Sequence, residues 1–297
     1  MKIGYPCINI TVGCTSGHTF RLKSYSEDRL KETVKTNLQC LKRTLQYNKE
    51  HSLLFFRVCS GLVPFASHPV NIFNWQQYFK ADFEAIGGYI KQNGFRISVH
   101  PDQFTLINSL SEEIFERSKK ELQYHAQILD LMQLDTSAKI QIHVGGAYGN
   151  KPKSIQAFVE RYGKLDEEIT RRLVIENDER LFDVDDCLEI SSKTGIPVLF
   201  DVFHHKVNHR SEDAQFDFAS ISKTWKGKDG LPMVDYSSQK PEGKLGQHTQ
   251  SIDLYDFEVF LKSTRPFDFD VMLEIKDKEE SAIKALKAAL NDPRIKI

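Results

Sequence analysis

Apolar residues along the chain follow two alternating rhythms. Short runs rich in β-branched and aromatic residues recur at 2–9, 53–59, 96–100, 139–145, 172–177, 197–203, 232–237 and 269–275. Runs of this length and composition predict strands. Between them, apolar positions three and four apart occupy 27–50, 75–93, 111–134, 151–169, 183–194, 211–222, 253–262 and 277–290, the spacing of a helix with one buried face. Boundary residues agree: Ser111 with Glu113 and Ile114 opens one helix, Asp183 opens another that Gly195-Ile196-Pro197 closes, and Gly94 ends a third. Strands alternating with helices imply parallel βαβ units. Eight of them, with no linker, repeat or low-complexity tract between, point to one closed (β/α)8 barrel over 1–297, and such a barrel needs roughly 250 residues. An open doubly wound sheet is the alternative, but no glycine-rich dinucleotide turn follows the first strand.

Strand residues two apart share a face, which makes the barrel reading specific. In KIQIHV, Ile140, Ile142 and Val144 alternate with Lys139, Gln141 and His143; in RISVH, Ile97 and Val99 alternate with Arg96, Ser98 and His100. The same parity puts Glu176, Asp201, Asp235 and Glu274 on one face near the ends of strands five to eight. Apolar outward faces suit a ring of helices, and polar inward residues at the carboxyl ends suit an active site at the mouth.

Composition narrows the classes. Basic and acidic residues nearly balance (40 against 41, net charge −1), so contacts with nucleic acid would need a local basic rim. No stretch approaches ~20 uninterrupted apolar residues, which excludes a spanning helix of that kind. The first twenty residues lack a secretory layout, so the expected location is cytoplasmic. Cys7, Cys14, Cys40, Cys59 and Cys187 are odd in number, widely spread and form no CxxC pair, which argues against a thiolate zinc site or a disulfide framework.

The candidate chemistry lies at the strand ends. His68 follows strand two; His100 and His143 end strands three and four; Glu176 ends strand five. Asp201 and His204 mark strand six, Asp235 strand seven, His248 the next loop and Glu274 strand eight. Singly, each fits a hydrogen-bonded core residue or a helix cap. Together they would place four carboxylates in one pocket, where they repel one another unless cations intervene. The set exceeds what one mononuclear site uses, so two or three divalent ions are expected, some bridged by a carboxylate such as Glu176. Mixed imidazole and carboxylate donors suit Mn²⁺, Zn²⁺, Fe²⁺ or Co²⁺. Clustered divalent ions serve in-line attack on phosphodiesters, making phosphoester hydrolysis the leading chemistry.

These motifs resemble the UV damage endonuclease family. The markers are GYPCIN (4–9), FRVCSGLVPFASHP (56–69), SVHPDQF (98–104), HVGGAYGNK (143–151), IENDERL (175–181), FDVFHH (200–205), SSQ (237–239) and LEIKDKE (273–279), in order over nearly the whole chain. The resemblance implies a TIM barrel related to a three-metal abasic-site endonuclease, with Mn²⁺ as the usual ion. It also implies incision of duplex DNA immediately 5′ of cyclobutane dimers and 6-4 photoproducts, with abasic sites as a further substrate, leaving a 3′-hydroxyl and a 5′-phosphate. The implied ligands are His68, His100, His143, Glu176, Asp201, His204, His248 and Glu274. Some relatives carry a carboxylated lysine where this chain has Met233, and a histidine where it has Asp235; Asp235 can still ligate, Met233 cannot. The implied partner is damaged double-stranded DNA, with a monomer needing no protein partner and no membrane.

A photodimer is poorly stacked, so extruding it costs less than extruding normal bases. Gln103 and Phe104, an amide beside an aromatic wedge, suit filling the gap, and Tyr5 with Asn9 resembles a second probing pair. Lys151, Lys153, Arg180, Lys226, Lys228, Lys240 and Lys244 are expected on a phosphate rim at the carboxyl end. Gly145-Gly146 would let backbone approach a phosphate. Lys276, beside Glu274, is placed near the scissile phosphate, with Glu176 and Glu274 as catalytic carboxylates. His205 and His209 are read as supporting residues. Two other functions fit the same fold: a metal-dependent sugar isomerase and a non-catalytic binder of damaged DNA.

Overall fold

The computed structural model describes residues 1–208 and 218–296. Eight parallel strands close into a barrel in sequence order, each paired with its neighbours in the chain and the last with the first. They are β1 Ile3–Pro6, β2 Phe55–Val58, β3 Arg96–Val99, β4 Lys139–His143, β5 Leu173–Glu176, β6 Val198–Asp201, β7 Met233–Tyr236 and β8 Asp270–Leu273. Helices fill the intervals because each carries one apolar stripe. In Glu27–Glu50, for example, Leu30, Val34, Leu38, Leu41 and Leu45 are buried while the opposite face meets water. The expected caps are present. Ser111 accepts from the Ile114 N–H, Asp183 and Asp186 form a reciprocal capping box, and Gly195 closes that helix with φ 76°.

Outward strand residues such as Ile97, Ile140, Ile142, Ile175, Val234 and Val271 pack into one core with the helices. Inward residues form a different core: Phe55, Val174, Leu199, Met233 and Met272, joined by Trp225. Each of the five strand residues stands two positions before a polar one at the mouth: Arg57, Glu176, Asp201, Asp235 and Glu274. By the same alternation, the apolar set plugs the barrel directly beneath the polar set. At the amino-terminal end, Lys139 is buried against Asp229 at 2.5 Å, and Arg96 reaches Asp270 and the Asp229 carbonyl. Strand β1 contributes Gly4 inside. A Cβ there would stand 1.6 Å from the Phe55 carbonyl oxygen, so no other residue fits.

Several expectations are corrected. The stretch 75–93 is two helices, Trp75–Tyr78 and Lys80–Gln92, and 151–169 is likewise divided, into Lys151–Tyr162 and Glu167–Thr170. A helix, Val202–Asn208, begins at the residue after β6, where the reading ran strand to 203. The helix expected over 211–222 is seen as Phe218–Thr224; the rest of that range, and His209, lie outside the described residues. Cys14 and Cys40 form a disulfide that ties the loop after β1 to the helix Glu27–Glu50; their separation of 26 residues carries no spacing signature. Lys226 and Lys228 precede β7 and so sit at the amino-terminal end, far from the mouth. Among the described residues, no helix is long and apolar enough to cross a membrane.

Gly4→Ala should destabilise the barrel by about 3 kcal/mol or more, because the clash is with backbone and cannot be relieved by a rotamer change. Urea denaturation followed by circular dichroism measures it; a loss below about 1 kcal/mol would show that β1 and β2 can move apart.

Candidate metal centre

The polar mouth is built by chain ends that the barrel brings together. Glu176 closes β5 and Asp201 closes β6, each 1% exposed; Asp235 is the third residue of β7, and Glu274 follows β8. His143 ends β4 and His100 follows β3. Three groups of potential ligands result, each with its donor atoms within 4.8 Å of one another: His100–His143–Glu176, Glu176–Asp201–His204 and Asp201–Asp235–Glu274. Glu176 belongs to the first two and Asp201 to the last two. The His100 and His143 Nε2 atoms lie 3.5 and 3.9 Å from Glu176 Oε2. His204 Nδ1 lies 3.2 Å from Glu176 Oε1 and 3.4 Å from Asp201 Oδ2.

Backbone carbonyls orient the imidazoles. His100 Nδ1 donates to the Pro101 carbonyl and His248 Nδ1 to the Glu274 carbonyl, each at 2.7 Å, and His204 Nδ1 is 3.1 Å from the Asn177 carbonyl. A carbonyl only accepts, so the proton on Nδ1 leaves the Nε2 lone pair of His100 and His248 free for a cation. His143 Nδ1 and Asp235 Oδ1 are buried with no hydrogen-bond partner. An acidic oxygen left without a donor is what a bound cation would satisfy, so these residues fit a divalent-metal centre. His248 stands beside the groups, its ring 6.3 Å from that of His204.

His68 lies outside the three groups. It is exposed on the loop after β2, and its Nδ1 accepts the Val70 N–H at 3.0 Å, which puts the proton of a neutral ring on Nε2. The residues that sequence reasoning missed are Arg57, Gln141 and Asn177. Arg57, 3% exposed, contacts Asp235 Oδ2 at 2.6 Å, Gln141 Oε1 at 2.7 Å and Glu274 Oε1. Gln141 donates to Asp235 Oδ2 at 2.6 Å and to Glu176. Asn177 exchanges two bonds with the Asp201 backbone, at 2.9 and 3.0 Å. An arginine on the inward parity of the apolar run FFRV was the available signal for the first.

Electrostatics follow from three buried acids and a half-buried one, Glu274, gathered near one guanidinium. Burial raises Glu274, but Arg57 outweighs it and holds this carboxyl down at about 2. Burial lifts Asp235 to about 7; Arg57 pulls it down, and the neighbouring Glu274 and Glu176 push it up. Asp201 is pushed well above the usual carboxylate range by burial and by the other acids. Burial favours neutral His204, yet Asp201 and Glu176 override it and lift this imidazole to about 11.

Around this centre, Gln103 and Phe104 stand exposed on the turn after β3, with the Phe104 N–H bound to Asp102 Oδ1 at 2.8 Å; Phe104 is 72% exposed. A cavity of about 240 Å³ lies between this turn and the loop after β5, lined by His100, Gln103, His143, Glu179 and Arg180 among others. Arg180 is largely exposed, 3.2 Å from Glu179; Lys276, Lys240 and Lys244 are exposed on carboxyl-end loops, and Lys153 is exposed in the first turn of the helix Lys151–Tyr162. Tyr5 and Asn9 are instead buried. The Tyr5 hydroxyl donates to Asn48 and accepts from Asn9 at 2.6 Å, closing both against the helix Glu27–Glu50 because β1 turns Tyr5 outward. On that loop the exposed apolar side chains are Ile8 and Ile10. Lys151 is paired with Asp186 at 2.7 Å. The space over Gly145 and Gly146 is taken by the chain itself: added Cβ atoms would stand 2.2 Å from Asn108 Oδ1 and 2.7 Å from the Tyr148 ring.

Residues 1–295 match the family model described as UV-endonuclease UvdE. The chain is 39% identical over 290 residues to a UV DNA damage endonuclease of Clostridium perfringens (strain 13 / Type A), covering 97% of this chain and 70% of that protein. It superposes with a TM-score of 0.93 on the solved structure titled "Crystal Structure of SacUVDE", at 42% identity over 99% of this chain and 100% of that one. Endonuclease IV from Thermus thermophilus shares the fold at a TM-score of 0.56 and 16% identity, over 83% of this chain and 91% of that one.

The neighbouring acids lift the His204 imidazole to about 11, and an imidazole must be neutral to ligate. A divalent ion taken up at Glu176–Asp201–His204 should therefore release protons at pH 7, and affinity should rise roughly tenfold per pH unit for each proton released. Calorimetric titration in two buffers of different ionisation enthalpy reads the number released; zero would place the ion away from His204.

Proposed function

The chain belongs to the UV-endonuclease UvdE family, and on that premise we propose that it incises duplex DNA immediately 5′ of UV photoproducts with the help of divalent ions, Mn²⁺ the first candidate. The family assignment makes it a DNA-repair endonuclease; the cleavage position, the lesions and the ions are our reading. The observation that carries it is the sharing of Glu176 and Asp201 between adjoining ligand groups, since a carboxylate common to two groups is how clustered divalent ions are held at bridging distance. Family membership also decides against the sugar-isomerase alternative.

His100, His143 and Glu176 would hold one ion, and Glu176, Asp201 and His204 the next. Divalent ions there would supply Lewis acidity towards water and the phosphodiester. The protein's part is to keep the imidazoles aimed through their carbonyl partners and to exclude water beneath the site with the apolar plug. Arg57 and Gln141 hold Asp235, Glu274 and Glu176 in place. Lys276, and Arg180 released from its exposed pair with Glu179, would meet the phosphates flanking the cleaved bond, where positive charge offsets developing negative charge. Phe104, standing out from the β3 turn, fills the gap left by an extruded dimer while Gln103 bonds the orphaned bases.

Supercoiled plasmid, irradiated or not, incubated with Mn²⁺ or EDTA, tests this reading. Relaxation should need both lesion and ion, and a 3′-hydroxyl adjoining the lesion should be recovered. His143→Ala and Glu176→Ala should each reduce nicking at least about 100-fold; full activity in both would refute the centre. Bound but uncut DNA throughout would support the non-catalytic alternative.

In Phe104→Ala we expect the preference for irradiated over intact duplex to fall roughly tenfold, while hydrolysis of a small activated phosphodiester stays unchanged. Equal loss on both substrates would assign Phe104 to packing.

A further inference from the structure

Two cysteines that the proposed chemistry does not use stand side by side at the mouth. Cys7 follows β1 and Cys59 follows β2, in the motifs GYPC and RVCS. The two strands are neighbours, with Pro6 opposite Arg57, and the Cys7 N–H donates to the Arg57 carbonyl at 2.8 Å. Paired strands stand about 4.8 Å apart, inside the roughly 4.4–6.8 Å between Cα atoms that a disulfide allows. Cys7 leaves the strand at φ 68°, a left-handed conformation that is costly for a residue with a Cβ, and its thiol is hydrogen-bonded to Cys59. Gly17, where an added Cβ would stand 2.4 Å from Cys59 Sγ, closes over the second sulfur. Both cysteines are half-buried, whereas Cys187, the third free one, is fully buried. The pairing makes the two sulfurs unequal. The Cys7 hydrogen bond holds Cys59 down at about 6 against the effect of burial, helped by a backbone hydrogen bond at Gly61. The same contact, together with burial, pushes Cys7 well above the usual thiol range. At pH 7 one sulfur is therefore an ionised nucleophile and the other a protonated reserve beside it. Among the described residues neither joins a group of three potential metal ligands.

We propose that Cys7 and Cys59 form a reversible redox site, oxidised to a disulfide by exchange with a small-molecule disulfide of the glutathione class. The Cys59 thiolate attacks one sulfur of the reagent and expels the other half as a thiolate, to which Cys7 passes its proton. The Cys7 sulfur then attacks Cys59 Sγ, and the second half leaves and is protonated from water. Two protein thiols and one small disulfide thus become one protein disulfide and two small thiols. The new bond ties the loop that carries the exposed Ile8 and Ile10 to the end of β2, two residues beyond Arg57. It is a redox lock on one side of the mouth, and it stands independently of the cleavage proposed above.

Thiol counting and peptide mapping on the full chain test this without recourse to activity. The protein is treated with glutathione disulfide at pH 7, alkylated, digested and mapped by mass spectrometry. Free thiols counted in denaturant should fall from three per chain to one. The map should show a Cys7–Cys59 cross-linked peptide, an unchanged Cys14–Cys40 link and Cys187 as the remaining thiol. In Cys7→Ala, Cys59 should instead retain the glutathione half as a mixed disulfide. A lasting mixed disulfide on Cys59 in the wild type, an unreacted Cys59, or a link from Cys59 to Cys14 or Cys40 would each overturn the site. Absence of the adduct in a folded Cys7→Ala would overturn Cys59 as the attacking sulfur. Should Cys7→Ala not fold, the wild-type map alone decides.

Discussion

Like charges gathered in a closed barrel must be balanced, and the upper half of this molecule is arranged around that necessity. At an effective dielectric near 20, two unit charges ~4 Å apart repel by about 4 kcal/mol, and Glu176, Asp201, Asp235 and Glu274 converge within a few ångströms. One guanidinium offsets part of the repulsion, and the protons drawn onto Asp235 and His204 offset more. Those protons occupy the places where divalent ions are expected to act. The carboxylate excess is therefore tolerable only because it is reversible, and the same imbalance would favour uptake of a divalent ion.

Strand-level parity was legible because a barrel strand records its two environments in alternate letters. Ile97, Ile140 and Ile142 read as outward, Gln141 and His143 as inward, and the structure agrees. The acids at the ends of β5 to β8 were legible for the same reason. The roles of Arg57 and Gln141 were harder to read: Arg57 is the one polar residue of FFRV, Gln141 was legible only as inward, and their partners Asp235, Glu274 and Glu176 lie 178, 217 and 35 positions away from the residues that bind them. Family resemblance carried His68, Tyr5 and Asn9 towards the site; the structure leaves His68 exposed outside the three ligand groups and buries Tyr5 and Asn9. The β1 parity that buries Tyr5 against Asn48 was present in the sequence, but the motif outweighed it. Lys226 and Lys228 were misplaced because sequence distance from β7 was read without its direction.

The carboxyl-end face of the barrel shows a division of labour. Imidazoles and acids sit on strand ends, where pairing fixes the backbone, whereas Gln103, Phe104 and Arg180 sit on turns held by short local bonds, such as Asp102 to the Phe104 N–H and Asp178 to the Arg180 N–H. The candidate ligands, which need ångström geometry, are thus on rigid elements, and the side chains proposed to meet a distorted duplex are on loops. Asn108, which fills the space over Gly145, extends this rigidity to the start of the loop after β4.

The apolar layer of Phe55, Val174, Leu199, Met233 and Met272 has one further consequence. It separates the acids above from the Lys139–Asp229 and Arg96–Asp270 pairs below. A low-dielectric layer transmits the field of a charge rather than screening it, so the mouth is undisturbed by the base only while the base is neutralised in pairs. Loss of one partner from either lower pair would leave a bare charge whose field reaches the acids above, which ties the base of the barrel to the electrostatics of the mouth.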